Sequence, residues 1–173
     1  REQLTEQEQD RVAEITSRVG GWPLWVYDDV YDHHVITAIA RRHALDGEVG
    51  VLVVDYLQNL SVEPKRTEYE VFSEAIRQLH HLAKSQGLGV IVVNQLSNEQ
   101  GKMPVSKDGY YSYKGSGGVR DTADKNIVLR RLWEWSESPV EGDLEVSLLK
   151  NRQGRVGKCT LRVTLPTGRI VDP

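Results

Sequence analysis

Two kinds of apolar spacing alternate along the first half of the chain. From residue 67 to residue 86, apolar side chains recur every three or four positions, which is the spacing of one face of an amphipathic helix. A shorter pattern of the same kind covers residues 35–40. Residues 49–55 and 89–93 are instead dominated by unbroken apolar runs, which are typical of strands buried on both faces of a parallel sheet. The pattern therefore predicts helices that alternate with buried strands.

The first residues of the chain carry a helix start signal. Thr5 occupies the N-cap position, and Glu8, three residues later, completes a capping box. A helix is predicted to run from there towards Val19, where a Gly-Gly pair ends it. The apolar stretch Pro23–Tyr27 then predicts a short strand before the next helix.

The second half of the chain has a different organisation. Residues 96–118 are rich in Gly, Ser, Lys and Tyr and lack apolar periodicity, which predicts a loop. Strands are predicted at Ile127–Trp133, Leu144–Leu149 and Cys159–Leu165, with a turn at Ser136–Gly142. Because short connections join these strands, they are expected to be antiparallel additions at one edge of the sheet. The predicted fold class is α/β, with a mostly parallel sheet flanked by helices and with antiparallel edge strands.

Length and composition limit the classes of protein that fit. With 173 residues, 39% of them hydrophobic, the chain can form one well-buried domain but not two ordinary ones. It has no apolar stretch of membrane-spanning length and no recognisable leader, so we expect a soluble, cytoplasmic protein without membrane contacts. A net charge of -3 restricts any nucleic-acid binding to a local surface. The single cysteine, Cys159, gives no support to a disulfide or a Cys-based zinc site.

One carboxylate stands where nucleotide chemistry is often found. The apolar run Val51–Val54 is followed directly by Asp55. In open α/β sheets, ligands bind beyond the carboxyl ends of the strands, and an Asp at that place helps to hold magnesium between phosphates. The alternative is a core strand that runs into an acidic turn. Asn94 and Gln95 follow the next predicted strand, so their polar side chains are expected near the same crevice.

Four motifs, taken in order, resemble the carboxyl-terminal motor domain of DnaB-type replicative helicases, whose fold is RecA-like. The helix that starts at Leu4-Thr5 resembles the segment after the first catalytic motifs of that family. The other three are Asp55-Tyr56-Leu57-Gln58, similar to its Walker B sequence, Asn94-Gln95-Leu96, similar to its glutamine switch, and Lys150-Asn151-Arg152-Gln153-Gly154, similar to its arginine-finger hairpin. The resemblance covers most of the chain and implies a ring-shaped, ATP-dependent helicase that translocates on single-stranded DNA.

The resemblance implies a role for each of these motifs. Asp55 is expected to bind Mg²⁺, and Gln95 to sense the γ-phosphate of ATP. Lys150 and Arg152 lie two positions apart at a strand end and so point the same way. Arg152 is expected to reach the nucleotide site of a neighbouring subunit, which requires an oligomer, a hexamer in this family. The alternative for Gln95 is a side chain that only hydrogen-bonds nearby backbone groups. The alternative for Lys150 and Arg152 is a solvated basic hairpin. Tyr56 and Gln58 either orient the loop after the strand or pack and hydrogen-bond there.

The predicted loop resembles the family's DNA-binding loop of the central channel. Lysines contact phosphates and glycine backbone amides approach them closely, while tyrosines stack on bases. The candidate DNA-binding residues are Lys102, Lys107, Lys114, Gly115 and Gly117, interleaved with Tyr110, Tyr111 and Tyr113. The match departs from the family at Gly115, where a carboxylate is often found. A solvated surface loop without DNA contacts is the alternative.

The phosphate-binding loop of the family is missing from these residues. The sequence contains no Gly-x-x-x-x-Gly-Lys-Ser/Thr motif, which supplies the amides and the lysine that cradle phosphates. In the family it lies upstream of the part that matches this chain, together with the Glu that activates water. We therefore expect residues 1–173 to be a partial motor domain that cannot hydrolyse ATP alone. A natural protein that lost the loop is the alternative to a truncated helicase.

Two other functions remain open from the sequence. One is a RecA-like recombination or branch-migration ATPase, and the other is a non-catalytic DNA-binding or assembly module. Primase and a helicase loader stay open as partners. The pairs His33-His34 and His80-His81 have no neighbouring carboxylate cluster in the sequence, so they are interpreted as surface or helix-face residues. Trp133 and Trp135 share a strand face and are expected to pack at an edge or interface.

Overall fold

The amino-terminal helix begins where the capping signal predicts. In the computed structural model, which describes residues 4–95, 118–132, 141–165 and 167–172, helix α1 spans Glu6–Gly20. The Thr5 hydroxyl accepts a hydrogen bond from the backbone N–H of Glu8, and the Glu8 carboxylate accepts one from the backbone N–H of Thr5. The predicted capping box is therefore confirmed. No residue of α1 is buried.

The two helices predicted from periodicity are also confirmed. Helix α2 spans His33–Leu45, and the side chain of its N-cap, Asp32, accepts hydrogen bonds from two backbone N–H groups of the first turn. Helix α3 spans Glu68–Gln86 and has a second capping box, formed by Thr67 and Glu70. Gly87 ends it in the left-handed conformation, with φ of 67°, which favours glycine.

The strand predicted at Pro23–Tyr27 is wrong. These residues have no regular secondary structure, and Leu24 and Val26 are 58% and 77% exposed. A strand needs a neighbour that accepts and donates its backbone hydrogen bonds. Among the described residues, none supplies such a ladder, and the segment is attached instead by the Tyr27 hydroxyl, which hydrogen-bonds the His43 ring at 2.8 Å.

Two strands form the parallel part of the fold. Strand β1 spans Val51–Val54 and strand β2 spans Gly89–Val92, with Val54 paired to Val92. Helix α3 supplies the crossover between them, as expected for a parallel pair. A single 3₁₀ turn, Leu57–Asn59, follows β1.

The expectation that these strands are buried on both faces is wrong for the described residues. Leu52 and Val90 pack against a cluster formed with residues of α2 and α3, so one face of the pair is covered. Successive side chains of a strand point to opposite faces, and Val53 and Ile91 on the other face remain exposed. The unbroken apolar runs therefore predicted the positions of the strands correctly, but they did not predict that one face is exposed.

The remaining strands form a separate sheet. The short helix α4, Gly118–Thr122, precedes four antiparallel strands in the order β3-β4-β5-β6. Their bounds are Lys125–Arg131 for β3, Glu141–Asn151 for β4, Gly157–Thr164 for β5 and Arg169–Val171 for β6. In the described residues, the predicted antiparallel strands pair with one another and not with the edge of the parallel pair. Gly118 belongs to α4 and Glu141 and Gly142 belong to β4, so the predicted loop and turn extend slightly too far.

Helix α3 is the centre of the main core. Its apolar face contributes Phe72 and Ala75, which are at most 1% exposed, and these residues pack with Leu57 of the 3₁₀ turn and Val119 of α4. The periodicity of α3 is therefore explained by contact with the segment after β1 on one side and with α4 on the other. Each helix among the described residues is too short or too polar to span a bilayer.

Candidate functional site

The carboxyl ends of the two parallel strands lie side by side. The Val93 N–H donates to the Val54 carbonyl and the Leu57 N–H donates to the Val93 carbonyl, both at 2.9 Å. Asp55 leaves β1 at this edge and Gln95 leaves the neighbouring strand three residues after its last paired residue. Both side chains are exposed. The structure therefore brings Asp55 and Gln95 to the same edge of the parallel pair, as the sequence predicts.

Gln58 connects the two segments that leave this edge. Its Nε2 donates to Asn94 Oδ1, and its Oε1 accepts from the backbone N–H of Gln95 at 3.3 Å. The sequence left open whether Gln58 orients the loop after the strand or packs and hydrogen-bonds there. These contacts agree with hydrogen bonding, and the second one also holds the backbone of Gln95. The peptide bond between Asp55 and Tyr56 is cis. The role of Asn94 as the partner of Gln58 was missed by sequence reasoning.

The Asp55 carboxylate is available for a ligand. It is exposed, and among the described residues it makes no hydrogen bond or ion pair. Mg²⁺ is commonly bound by one or two carboxylates, with water and substrate phosphates completing an octahedron of oxygen ligands. A single exposed carboxylate at a strand end therefore fits the protein's share of a nucleotide-bound Mg²⁺ site.

Lys150 and Arg152 reach one place on the same chain. Lys150 Nζ donates to the backbone carbonyls of Arg120 and Asp121, each at 2.8 Å. Arg152 Nη2 donates to the Asp121 carbonyl and its Nη1 donates to Asp124 Oδ1, both at 3.0 Å. These carbonyls belong to the end of α4, where backbone acceptors lack helical partners. The prediction that the two side chains point the same way is confirmed.

Arg152 is bound within its own chain, whereas an arginine finger is expected to reach a neighbouring subunit. In the part of the chain that the structure describes, its guanidinium is bound by Asp121 and Asp124 and not by groups at the Asp55 edge. The backbone N–H of Arg152 also donates to the Asp124 carbonyl at 3.0 Å. Burial, together with the positive charge of Arg152, lowers the pKa of the Lys150 ammonium. The hairpin after β4 is therefore attached to the segment that enters β3.

Asp124 is a site residue that sequence reasoning did not single out. Its carboxylate binds Arg152 and lies 4.0 Å from His80 Nε2 on α3. Asp124 precedes β3 and Arg152 follows β4, 28 positions later in the chain. No local sequence pattern indicates that these two residues form a pair. The pairing follows from the antiparallel register of β3 and β4, in which Lys125 faces Asn151.

Several predicted residues cannot be placed. The DNA-binding candidates Lys102, Lys107, Lys114, Gly115 and Gly117 lie outside the described residues, as do Trp133 and Trp135. His33 and His34 are helix-face residues of α2, as one of the two interpretations expects, with His33 buried and His34 exposed. Sequence reasoning did not find that α3 brings one carboxylate, Glu74, to this pair.

Two solved structures share the fold of this chain. One is a DnaB-like replicative helicase, in a structure that describes its interactions with primase. It matches with a TM-score of 0.77 and 22% identity over 99% of this chain and 43% of that one. The other is described as an ATPase domain, with a TM-score of 0.78 and 21% identity over 98% of this chain and 62% of that one. These likenesses place the chain in the class of RecA-like domains, which confirms the predicted fold class.

Sequence comparison narrows this class to one family. The model of the DnaB-like helicase C terminal domain matches residues 1–172, and the chain belongs to that family. The chain is 28% identical to the replicative DNA helicase DnaB of Mycobacterium intracellulare over 98% of its own length. It is 31% identical to that of Geobacillus stearothermophilus over 79% of its length. The chain spans about 30% of the length of these relatives. The predicted DnaB-type resemblance is confirmed.

Proposed function

We propose that this chain is the carboxyl-terminal part of a motor domain in an ATP-dependent replicative DNA helicase. The observation that carries the proposal is family membership over residues 1–172, combined with the exposed Asp55 and Gln95 at one edge of the parallel strands. The relatives are named replicative DNA helicases, and the fold agrees with that of a solved DnaB-like replicative helicase. Residues 1–173 form part of one domain in this proposal, and the helicase works in the bacterial cytoplasm.

The nucleotide site in this proposal is assembled at the Asp55 edge. Asp55 binds Mg²⁺, which neutralises charge on the β- and γ-phosphates of ATP. Gln95 senses the γ-phosphate, and the contact of Gln58 with the Gln95 backbone keeps it beside Asp55. A phosphate-binding loop, which these residues do not contain, has to come from another part of the protein. The chain alone is therefore expected to be inactive.

Lys150 and Arg152 are proposed to act on the nucleotide of an adjacent subunit in a hexameric ring. The Arg152 side chain is 44% exposed, so it remains accessible from outside its own chain. Lys150 donates to two backbone carbonyls of α4, and it would exchange these contacts for phosphate contacts when it acts together with Arg152. The ion pair between Arg152 and Asp124 is half-exposed, and such pairs stabilise a protein by about 1 kcal/mol or less. Arg152 can therefore leave Asp124 for a phosphate at a small cost in free energy.

Single-stranded DNA is the proposed partner of residues 96–117. Helix α4 follows this segment directly, and its last carbonyls bind Lys150 and Arg152. A change at the DNA-binding segment would therefore reach the proposed finger through α4. ATP binding and hydrolysis would alternately tighten and loosen the grip on DNA in this mechanism. The solved helicase with its primase interactions makes primase a further proposed partner.

Replacement of Lys114 by alanine in the complete protein is expected to weaken single-stranded DNA binding and to reduce its salt dependence. Each phosphate contact releases about one counterion, so the slope of log affinity against log salt should fall by roughly 0.7 for a single strand. The measurement is fluorescence anisotropy of a labelled oligonucleotide at several salt concentrations. Lys84→Ala, which changes an exposed lysine on α3, is the matched control. An unchanged slope in Lys114→Ala would remove Lys114 from the DNA interface.

The proposed activity is tested by strand separation on a forked duplex. The purified complete protein is expected to unwind the fork only when ATP and Mg²⁺ are both present. A recombination ATPase would instead pair or migrate homologous strands under the same conditions. DNA binding without nucleotide turnover would support the non-catalytic module and overturn the helicase proposal. All the named relatives are replicative helicases, which favours the first outcome.

A further inference from the structure

Three groups with metal-binding atoms converge between α2 and α3. His33 and His34 begin α2, and Glu74 lies in the second turn of α3. One ligand atom from each residue lies within 4.8 Å of the others. Two nitrogen ligands of one tetrahedral Zn²⁺ are about 3.4 Å apart, since each bond is about 2.1 Å long. The His33 and His34 rings face each other, with centroids 4.1 Å apart and an interplanar angle of 34°. For both rings to bind one ion, the half-exposed His34 and the partly exposed Glu74 therefore have to rotate.

His33 is buried without a hydrogen bond at its outer ring nitrogen. The residue is 4% exposed, and among the described residues Nε2 has no partner. Buried polar atoms are nearly always satisfied, because leaving one unpaired costs free energy. The orphaned nitrogen therefore points to a missing partner.

The two oxygens of Glu74 have separate environments. Oε2 accepts a hydrogen bond from Arg66 Nη2 at 2.6 Å. Oε1 lies 3.9 Å from His34 Nε2 and accepts from Gln78 Nε2 at 3.2 Å. Arg66 can therefore orient the carboxylate through one oxygen while the other remains directed at the histidines. Hydrogen-bonded carboxylates of this kind are usual around metal sites.

Gln78 lies between His34 and Glu74. Its Nε2 is 3.2 Å from both His34 Nδ1 and Glu74 Oε1, and it donates to the carboxylate. An ion bound by Glu74 Oε1 would take the place of this hydrogen bond. The amide could then turn so that its oxygen accepts the Nδ1 proton of His34, which leaves His34 Nε2 free to bind the metal.

The charges around the cluster select the kind of ion. The open groove beside it, about 590 Å³ in volume, is lined by Arg41, Arg77 and His81 as well as His34 and Glu74. This basic environment and the single carboxylate disfavour Mg²⁺ and Ca²⁺, which need several oxygen ligands. Two imidazoles and one carboxylate are the ligand set of several zinc sites, with water in the fourth position. The groove gives solvent access to that position.

We propose that His33, His34 and Glu74 form a binding site for a divalent transition-metal ion of the Zn²⁺ class. The ion joins the first turn of α2 to α3 and supplies the missing partner of the buried His33 nitrogen. The site is separate from the Mg²⁺ site proposed at Asp55, because none of its ligands lies on the strand ends. Its role is to fix the two helices that flank the parallel pair.

The test is Zn²⁺ binding by the complete protein after removal of metal, measured in competition with a chromophoric chelator and without nucleotide or Mg²⁺. The expected result is one Zn²⁺ per chain at micromolar concentration and a higher Tm, since an ion that binds only the folded state stabilises it. His34→Ala and Glu74→Gln are expected to weaken binding by more than about 100-fold, and Gln78→Ala by about 10- to 100-fold. Co²⁺ in place of Zn²⁺ should give the visible spectrum of a tetrahedral site.

The control separates this cluster from other acids. Glu68→Gln, which is exposed on α3 and outside the groove, is expected to bind Zn²⁺ as the unchanged protein does. His33→Ala removes a buried residue and is informative only if its circular dichroism spectrum is unchanged. His34→Ala and Glu74→Gln, at more exposed positions, therefore decide the result. Failure of the unchanged protein to bind Zn²⁺ at about 100-fold the expected concentration, or equal binding by His34→Ala and Glu74→Gln, would overturn the proposal. Neither outcome depends on ATP turnover or on Asp55.

Discussion

Replacement of Arg152 by alanine in the complete protein is expected to lower the rate of ATP turnover by about 10³- to 10⁵-fold. An arginine finger stabilises the charge that spreads over the transferred phosphoryl group, and this charge is greatest in the transition state. Nucleotide binding should therefore remain close to that of the unchanged protein. The measurements are steady-state ATP hydrolysis and binding of a fluorescent ATP analogue.

The contacts of Arg152 within its own chain require two controls. Arg155→Ala removes another arginine from the same hairpin. Arg155 contacts Asn151 through its backbone carbonyl and not through its side chain, so this contact is kept. It should retain turnover. Asp124→Asn breaks the ion pair that joins Arg152 to the segment before β3. If Asp124→Asn lowers turnover as much as Arg152→Ala does, the arginine acts by attaching the hairpin to α4 and the finger assignment is wrong.

The second large effect is expected at Asp55. Asp55→Asn removes the charge that binds Mg²⁺ but keeps the size of the side chain, and metal-ion catalysis of this kind contributes several kcal/mol. Turnover should fall by about 10²- to 10⁴-fold, since each factor of ten corresponds to about 1.4 kcal/mol. The Mg²⁺ concentration needed for half-maximal turnover should rise. Asp10→Asn, which makes the same change on the exposed face of α1, is the control. Normal Mg²⁺ dependence in Asp55→Asn would exclude it as the metal ligand.

A mixture of the two inactive variants tests whether the site is shared between subunits. A ring that contains both Arg152→Ala and Asp55→Asn chains has some interfaces where an unchanged Asp55 meets an unchanged Arg152. Mixing should therefore restore part of the turnover if Arg152 acts on the neighbouring subunit. If both residues serve the same chain, every site contains one defect and the mixture stays inactive. Unmixed variants at the same total concentration are the reference.

Local signals predicted most of the secondary structure. The capping box at Thr5 and the apolar spacing of α3 depend on residues within a few positions of one another, and both are present in the structure. The strand predicted at Pro23–Tyr27 failed because apolar composition does not supply a hydrogen-bonding neighbour. The later strands were located correctly, but their membership of a separate sheet depends on pairing between distant segments.

The candidate site was predictable only in part. The rule that parallel strands present their carboxyl ends at one edge was enough to expect Asp55 and Gln95 together. The bridge from Gln58 to Asn94 spans 36 positions, and nothing near either residue indicates it. The same is true of Asp124, whose carboxylate binds Arg152 across the end of the β3–β4 pair.

By itself, the sequence determined helices α1 to α3, the parallel strands, the order of the motifs and hence the family, because these depend on short-range periodicity and on residue types in fixed succession. Only the tertiary structure decided which distant groups meet. It attached Arg152 to Asp124, and it buried His33 beside Glu74, where the sequence left a surface or a helix-face position open. The physical reason is that such contacts depend on the path of the whole chain, and the packing of α2 against α3 sets distances that no local pattern contains.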